Sequence, residues 1–293
     1  MKLIYKIKEN DSYLNIKELL KAHFNISDRL LLKLKKNNKI LVNNNVANIN
    51  SKLSLKDQVE INLDFEEDNS NIVPIKMDLE IIYEDDAYLV VNKPAGVPIH
   101  PSRDHFTDSL SNGVKYYFDS IELKKKIRPV NRLDKNTSGL VIFAKNEYIQ
   151  ECLVRQMKKD MFYKEYIAIC EGKFEKPKGI INAPIARKEN SIIERCVNES
   201  GDNAITEYEV IKYNENMNYS IVRCVLKTGR THQIRVHMSY VGHPILGDTL
   251  YGSTSALINR QALHSYKTGF MHPIENNFKT YEASLPKDMA ILI

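Results

Sequence analysis

One turn constrains this chain more than any other stretch of it. In Arg128-Pro-Val-Asn-Arg-Leu-Asp-Lys-Asn-Thr-Ser-Gly-Leu-Val-Ile-Phe-Ala-Lys145, a single carboxylate, Asp134, stands between two extended segments. Pro129 disfavours helix at the residue before it, so residues 127–130 read as extended. Residues 139–144 form an apolar run rich in β-branched and aromatic side chains, the composition of a buried strand. Between them Asp134, Asn136, Thr137, Ser138 and Gly139 supply the short polar groups of a tight turn. A carboxylate held there either closes the turn on its own backbone or is aimed at a ligand.

With 293 residues and 43% hydrophobic content, the chain has enough material for one large domain and a small one, and it is not a disordered chain. Its net charge is only +5, but residues 1–63 carry 12 Lys and Arg against 6 Asp and Glu. A small basic unit beside a nearly neutral body suits an RNA-gripping module on a catalytic domain. On charge alone, a Lys-rich solvated surface is the better reading. The cysteines at 152, 170, 196 and 224 form no Cys-x-x-Cys pair and no zinc-ligand spacing with His, so we expect reduced packing residues and no metal. The N-terminal Met-Lys-Leu-Ile-Tyr-Lys-Ile-Lys alternates as a strand does, unlike a signal peptide. No apolar stretch approaches membrane-spanning length. We therefore expect a soluble, cytoplasmic monomer with no membrane partner.

Taken in order, the chain offers a strand at 3–8, an imperfect helical stripe of Leu14, Leu19, Leu20 and Phe24, and a second helix capped by Ser27. That helix turns Leu30, Leu31 and Leu34 inward and Arg29, Lys33, Lys35 and Lys36 largely outward. Short strands at 39–42 and 59–63 follow, separated by Asn-rich turns. Residues 64–75 are acidic and polar with one Pro, the composition of an interdomain linker. Strands at 79–83 and 87–92 lead into Lys93-Pro-Ala-Gly-Val-Pro-Ile-His-Pro101, whose Pro and Gly fix backbone shape. A helix capped by Asn146 covers 146–158, and a strand at 163–170 puts Lys164, Tyr166, Ala168 and Cys170 on one face. Residues 171–213 give no clear strands. A strand at 219–226 precedes a helix that we expect to be capped by Thr231, with Ile234, Met238 and Val241 inward and Arg235 off that buried line. His232 and His237 lie five apart with no Glu between them, which excludes a zinc-protease motif.

Asn131-Arg-Leu-Asp-Lys-Asn-Thr-Ser-Gly-Leu140 resembles the signature of the RluA/RluD-type pseudouridine synthases, roughly His-Arg-Leu-Asp-x-x-Thr-Ser-Gly-Leu. Its one departure is Asn131 in place of His. Lys93-Pro-Ala-Gly96 resembles the opening motif of that family, Lys164-Glu-Tyr-Ile-Ala168 its tyrosine motif, and Thr228-Gly-Arg-Thr-His-Gln-Ile-Arg-Val-His237 its third motif. Residues 1–63 are similar to the S4-like RNA-binding domain that often precedes such enzymes, with Asn37-Asn38 where that domain often has Gly. The resemblance implies an α+β chain: an S4-like domain at 1–63, a linker at 64–75, and a catalytic domain at 76–293. The catalytic domain is expected to be a mixed, mainly antiparallel sheet with flanking helices.

As the resemblance implies, Asp134 acts on the ribose of a flipped uridine as nucleophile or as base. Tyr166 stacks on the uracil, and Arg235 pairs with Asp134. Arg132, Lys93, Arg230 and His232 are candidates to touch RNA or support the site, and Arg29, Lys33 and Lys36 to contact RNA phosphates. The rearrangement needs no cofactor, and the chain carries neither a P-loop nor a dinucleotide fingerprint. Ribosomal RNA of the large subunit is the favoured partner, with transfer RNA as the alternative. A non-catalytic RNA-binding protein gives no reason for three catalytic motifs to coexist. A glycoside hydrolase normally needs two carboxylates across the bond, and only one credible acid is present.

Overall fold

The computed structural model describes all 293 residues. At the N-terminus β1 (Lys2–Lys6), α1 (Ile16–Ala22), α2 (Asp28–Lys36), β2 (Ile40–Val42), β3 (Asn45–Val46) and β4 (Gln58–Asn62) form a two-helix unit on a sheet of order β1-β4-β2-β3. Asn15 and Ser27 cap the helices through their side chains. Leu19, Leu20, Leu30, Leu31 and Leu34 are buried together. Asn43 and Asn44 both have positive φ, at 47° and 67°, as the two-residue turn between β2 and β3 requires. Asn38, at φ 51°, takes the left-handed conformation for which Gly is the usual residue.

The acidic segment that follows lies pinned against the body. Glu67 accepts from Lys33 at 2.8 Å and from both terminal nitrogens of Arg128 at 2.6 and 2.8 Å. Asp64 takes Lys125 at 2.6 Å, and Ile72 is buried. Lys33 also lies 3.7 Å from Glu147, so it is not outward as the helical pattern suggested; it is spent on contacts within the protein. Arg29 and Lys36 remain exposed, with Arg29 3.2 Å from Glu147.

The remaining elements are β5 (Glu80–Glu84), β6 (Tyr88–Lys93), α3 (Leu110–Ser120), β7 (Ser138–Ala144), α4 (Glu147–Lys158), β8 (Tyr163–Glu171), β9 (Lys178–Asn182), β10 (Ile185–Arg187), β11 (Arg195–Val197), β12 (Ile205–Asn214), β13 (Tyr219–Leu226), α5 (Gln233–Tyr240), β14 (Leu263–Met271), β15 (Phe278–Glu282) and α6 (Lys287–Ala290). Nine strands make one sheet of order β5-β6-β7-β14-β8-β13-β12-β9, with β15 on β14, and β10 and β11 form a separate hairpin. Every pairing is antiparallel except β7 with β14. This is the mixed, mainly antiparallel α+β architecture expected from the sequence. The parallel seam joins only Ser138 to His264 and Gly139 to Ser265. Gly139 has φ 113°, and a Cβ there would lie 2.3 Å from the Ser265 carbonyl oxygen, so only glycine fits. That seam fixes where the signature turn emerges.

Candidate active site

Asp134 lies just ahead of β7, in a turn closed by the Thr137 amide donating to its carbonyl at 3.1 Å. Its backbone thus closes the turn, and its carboxylate is left for another partner. Asn131 ties the segment before the turn to β7. Its amide nitrogen donates to the Leu140 carbonyl, and its amide oxygen accepts from the Ile142 N–H, both at 2.9 Å. A neutral imidazole also offers one donor and one acceptor, which accounts for Asn in a position where the resembling family has His.

Arg235 reaches Asp134 from 101 residues away, its Nη1 donating to Oδ2 at 2.9 Å. Nε and Nη2 donate to the two oxygens of Asp248 at 2.7 and 2.8 Å, a bidentate pair. Burial opposes the Arg235 charge, yet Asp248 and then Asp134 hold it above its ordinary value. The helix that carries it differs from expectation at its start. His232, not Thr231, occupies the cap position, in a left-handed conformation at φ 58° with no side-chain cap. Residues 233–238 are all buried, so Arg235 lies inside the body and not off a buried line. The left-handed residue brings His232 Nε2 to 3.7 Å from Asp134 Oδ1, while Nδ1 meets the Tyr251 hydroxyl at 2.7 Å. Burial pushes His232 below its ordinary value, against the pull of Asp134.

Tyr166, on β8, lines the same cavity of about 580 Å³ as Asp134, with Arg132, Lys164, Arg230 and His232 also on its walls. Burial pushes the Tyr166 phenol up to about 12, so it is neutral across the physiological range. Arg132 and Arg230 are exposed. Arg230 Nε donates to the Asn203 carbonyl, and its Nη1 lies 3.7 Å from Asp202. Lys93 differs from them entirely. It is fully buried, and Nζ donates to the carbonyls of Pro94, Val97 and Lys135 at 2.8–2.9 Å, so it meets neither solvent nor phosphate. Through the Lys135 carbonyl it supports the Asp134 turn from beneath. Burial pushes its ammonium down to about 7, opposed by the Asp134 charge.

Two further supports were not apparent in the sequence. Asp248 reads there as part of a loop-shaping Gly-His-Pro-Ile-Leu-Gly-Asp run, yet it is 1% exposed. An acid so embedded in apolar sequence calls for a distant cation, and that was the available signal. Arg260, paired with both oxygens of Asp288, donates to the Asn136 carbonyl at 3.1 Å. Asp85, His272 and Glu275 lie close enough together to suggest a metal site. However, His272 Nε2 bonds Asp85 at 2.8 Å, and Nδ1 accepts the amides of Ile274 and Glu275. Both imidazole nitrogens are therefore occupied.

Residues 87–240 match the family described as RNA pseudouridylate synthase. The chain belongs to the RluA/RluD-type RNA pseudouridine synthases. It is 42% identical to the Bacillus subtilis protein called uncharacterized RNA pseudouridine synthase YhcT, over 80% of this chain and 77% of that one. Identity is 36% with ribosomal large subunit pseudouridine synthase D of Blochmanniella floridana, over 88% and 86% of the two chains. Among solved structures, human RNA pseudouridylate synthase domain containing 1 superposes with a TM-score of 0.59 at 26% identity, covering 71% of this chain and 83% of that one. As an RNA pseudouridine synthase, the protein is an isomerase. No helix is long and apolar enough to cross a membrane.

Proposed function

We propose that this pseudouridine synthase modifies large-subunit ribosomal RNA in the cytoplasm, with Asp134 as its essential carboxylate. The N1–C1′ glycosidic bond of a uridine breaks, the uracil turns, and C5 joins C1′. No atom is gained or lost. The observation that carries the reading is the placement of Asp134. Arg235 grips one of its oxygens at 2.9 Å, while the side chain stays 27% exposed at the wall of a cavity shared with Tyr166. A carboxylate so oriented can act on the ribose as nucleophile or base, and Arg235 fixes its direction. Tyr166 supplies a neutral aromatic face for the uracil, which must leave its stack at a cost of a few kcal/mol. Lys93 and Arg260 hold the turn from below.

The choice of ribosomal over transfer RNA is supported by matches to large-subunit pseudouridine synthases D along most of the chain. The N-terminal unit, read as S4-like, adds exposed cations at Arg29, Lys35 and Lys36 for phosphate contacts. For Asp134→Asn we expect tritium release from C5-tritiated uridine in RNA to fall at least about 10⁴-fold with RNA binding retained. An active variant would remove Asp134 from the mechanism. Mapping pseudouridines in total RNA from cells lacking the protein tests the target; a loss confined to transfer RNA would overturn the ribosomal assignment.

A further inference from the structure

Beside the catalytic cavity lies a second, of about 510 Å³, which shares the walls formed by Arg132, Arg195 and Arg230. The β10–β11 hairpin and the turn before β12 complete it, adding Arg187 and Asp202 as charged groups. Four guanidiniums thus face one carboxylate, and Asp202 is itself largely exposed at 74%. The enclosure is built from backbone. Ile185 and Asp202 exchange amide hydrogen bonds at 2.9 and 3.0 Å, and a Cβ on Gly201 would lie 2.4 Å from the Ile185 carbonyl carbon. Within the hairpin, Arg187 stands directly opposite Arg195, a like-charge cross-strand pair that destabilises a hairpin. One step towards the tip, Lys188 and Glu194 form an ordinary ion pair at 3.0 Å. The Arg195 guanidinium donates to the carbonyls of Ile193 and Glu194, whereas that of Arg187 has no protein partner. An anion between the facing arginines removes their repulsion.

We propose that this second cavity is a phosphodiester subsite that grips the RNA backbone beside the target nucleotide, with Arg187 as its main contact. The inference rests on the proposed reading of the first cavity. A nucleotide turned into that cavity leaves its flanking phosphates outside, and the shared wall puts the second cavity next to them. Guanidinium, planar and with paired donors, suits a phosphodiester better than lysine does.

The test uses full-length protein and C5-tritiated transcripts of ribosomal and transfer RNA. Arg187→Ala should raise KM about tenfold, the loss of one charge-assisted contact. It should also make the salt dependence of log kcat/KM shallower by about 0.7. Arg187→Glu should be worse, and Arg187→Lys should restore the slope but only part of the affinity. A neutral methylphosphonate beside the target uridine should weaken wild type and leave Arg187→Ala little changed. Equilibrium binding of the same transcripts to Asp134→Asn and to Asp134→Asn/Arg187→Ala gives the comparison without turnover. Equal KM, affinity and salt slope with and without Arg187 overturn the subsite and leave the role of Asp134 untouched. Full turnover by Asp134→Asn overturns that role and leaves the subsite untouched.

Discussion

The two sides of Asp134 use positive charge in opposite ways. Behind it, Arg235, Lys93 and Arg260 are buried and fully engaged, with Asp248, three backbone carbonyls and Asp288 respectively. In front, Arg132, Arg187 and Arg230 are exposed, and the first two have no hydrogen-bond partner in the chain. A buried cation has lost its hydration and must be paired, so it becomes a strut with one geometry. An exposed one keeps its water and its freedom until an anion arrives. Positive charge therefore braces the Asp134 carboxylate on one side and, in the function proposed above, is left free for the RNA on the other.

Substitutions on the braced side should sharpen this contrast, and Asp248→Asn is the severest. It leaves Arg235 buried with one anionic partner instead of two. We expect a stability loss of about 3–5 kcal/mol and a fall of about 10²-fold in kcat with little change in KM. Chemical unfolding and tritium release measure the two. A loss confined to KM would place Asp248 with the open side instead. Next in size is an acid effect at His264, which lies between Ser138 at 2.9 Å and the Ala283 carbonyl on the β7–β14 seam. Burial pushes it from the ordinary 6.5 down to about 4. Between those values the unfolded chain binds a proton that the folded protein refuses, so stability rises with pH across that window and is lost as pH falls through it. The group accounts for about 3 kcal/mol. In unfolding experiments between pH 7 and pH 4, His264→Gln should lack that part of the slope; an identical slope would show that other groups set it. Smallest is Asn131→Ala, which removes two hydrogen bonds to β7 and should cost about 2 kcal/mol. Asn131→His should recover most of it, and a melting temperature for the histidine variant no higher than for alanine would refute the donor–acceptor account of that position.

Local elements were largely legible before folding was considered. The caps at Ser27 and Asn146, the strand after the signature turn, and the strand bearing Tyr166 each follow from spacing within a dozen residues, whereas the segment before the turn makes only an isolated bridge from Pro129 to Phe143. The helix at 110–120 begins with a Ser109–Asn112 capping box, a signal that is also local. Strands β9 to β12 gave no such signal. They are short or half exposed, and what holds them is pairing: β10 with β11, and β12 with β13 on one side and β9 on the other.

The sequence by itself determined the family the chain belongs to and which side chains to examine for chemistry, because motifs are contiguous and turn chemistry is local. Only the tertiary structure decided which charges meet. Arg235 and Lys93 moved from expected surface or off-core positions to buried struts, Lys33 became a contact to Glu67, and Asp248 emerged as the second anion on Arg235. A charge placed in sequence has no defined surroundings until strands distant in the chain are laid side by side. Desolvation and pairing, which separate a strut from a ligand contact, are properties of those surroundings.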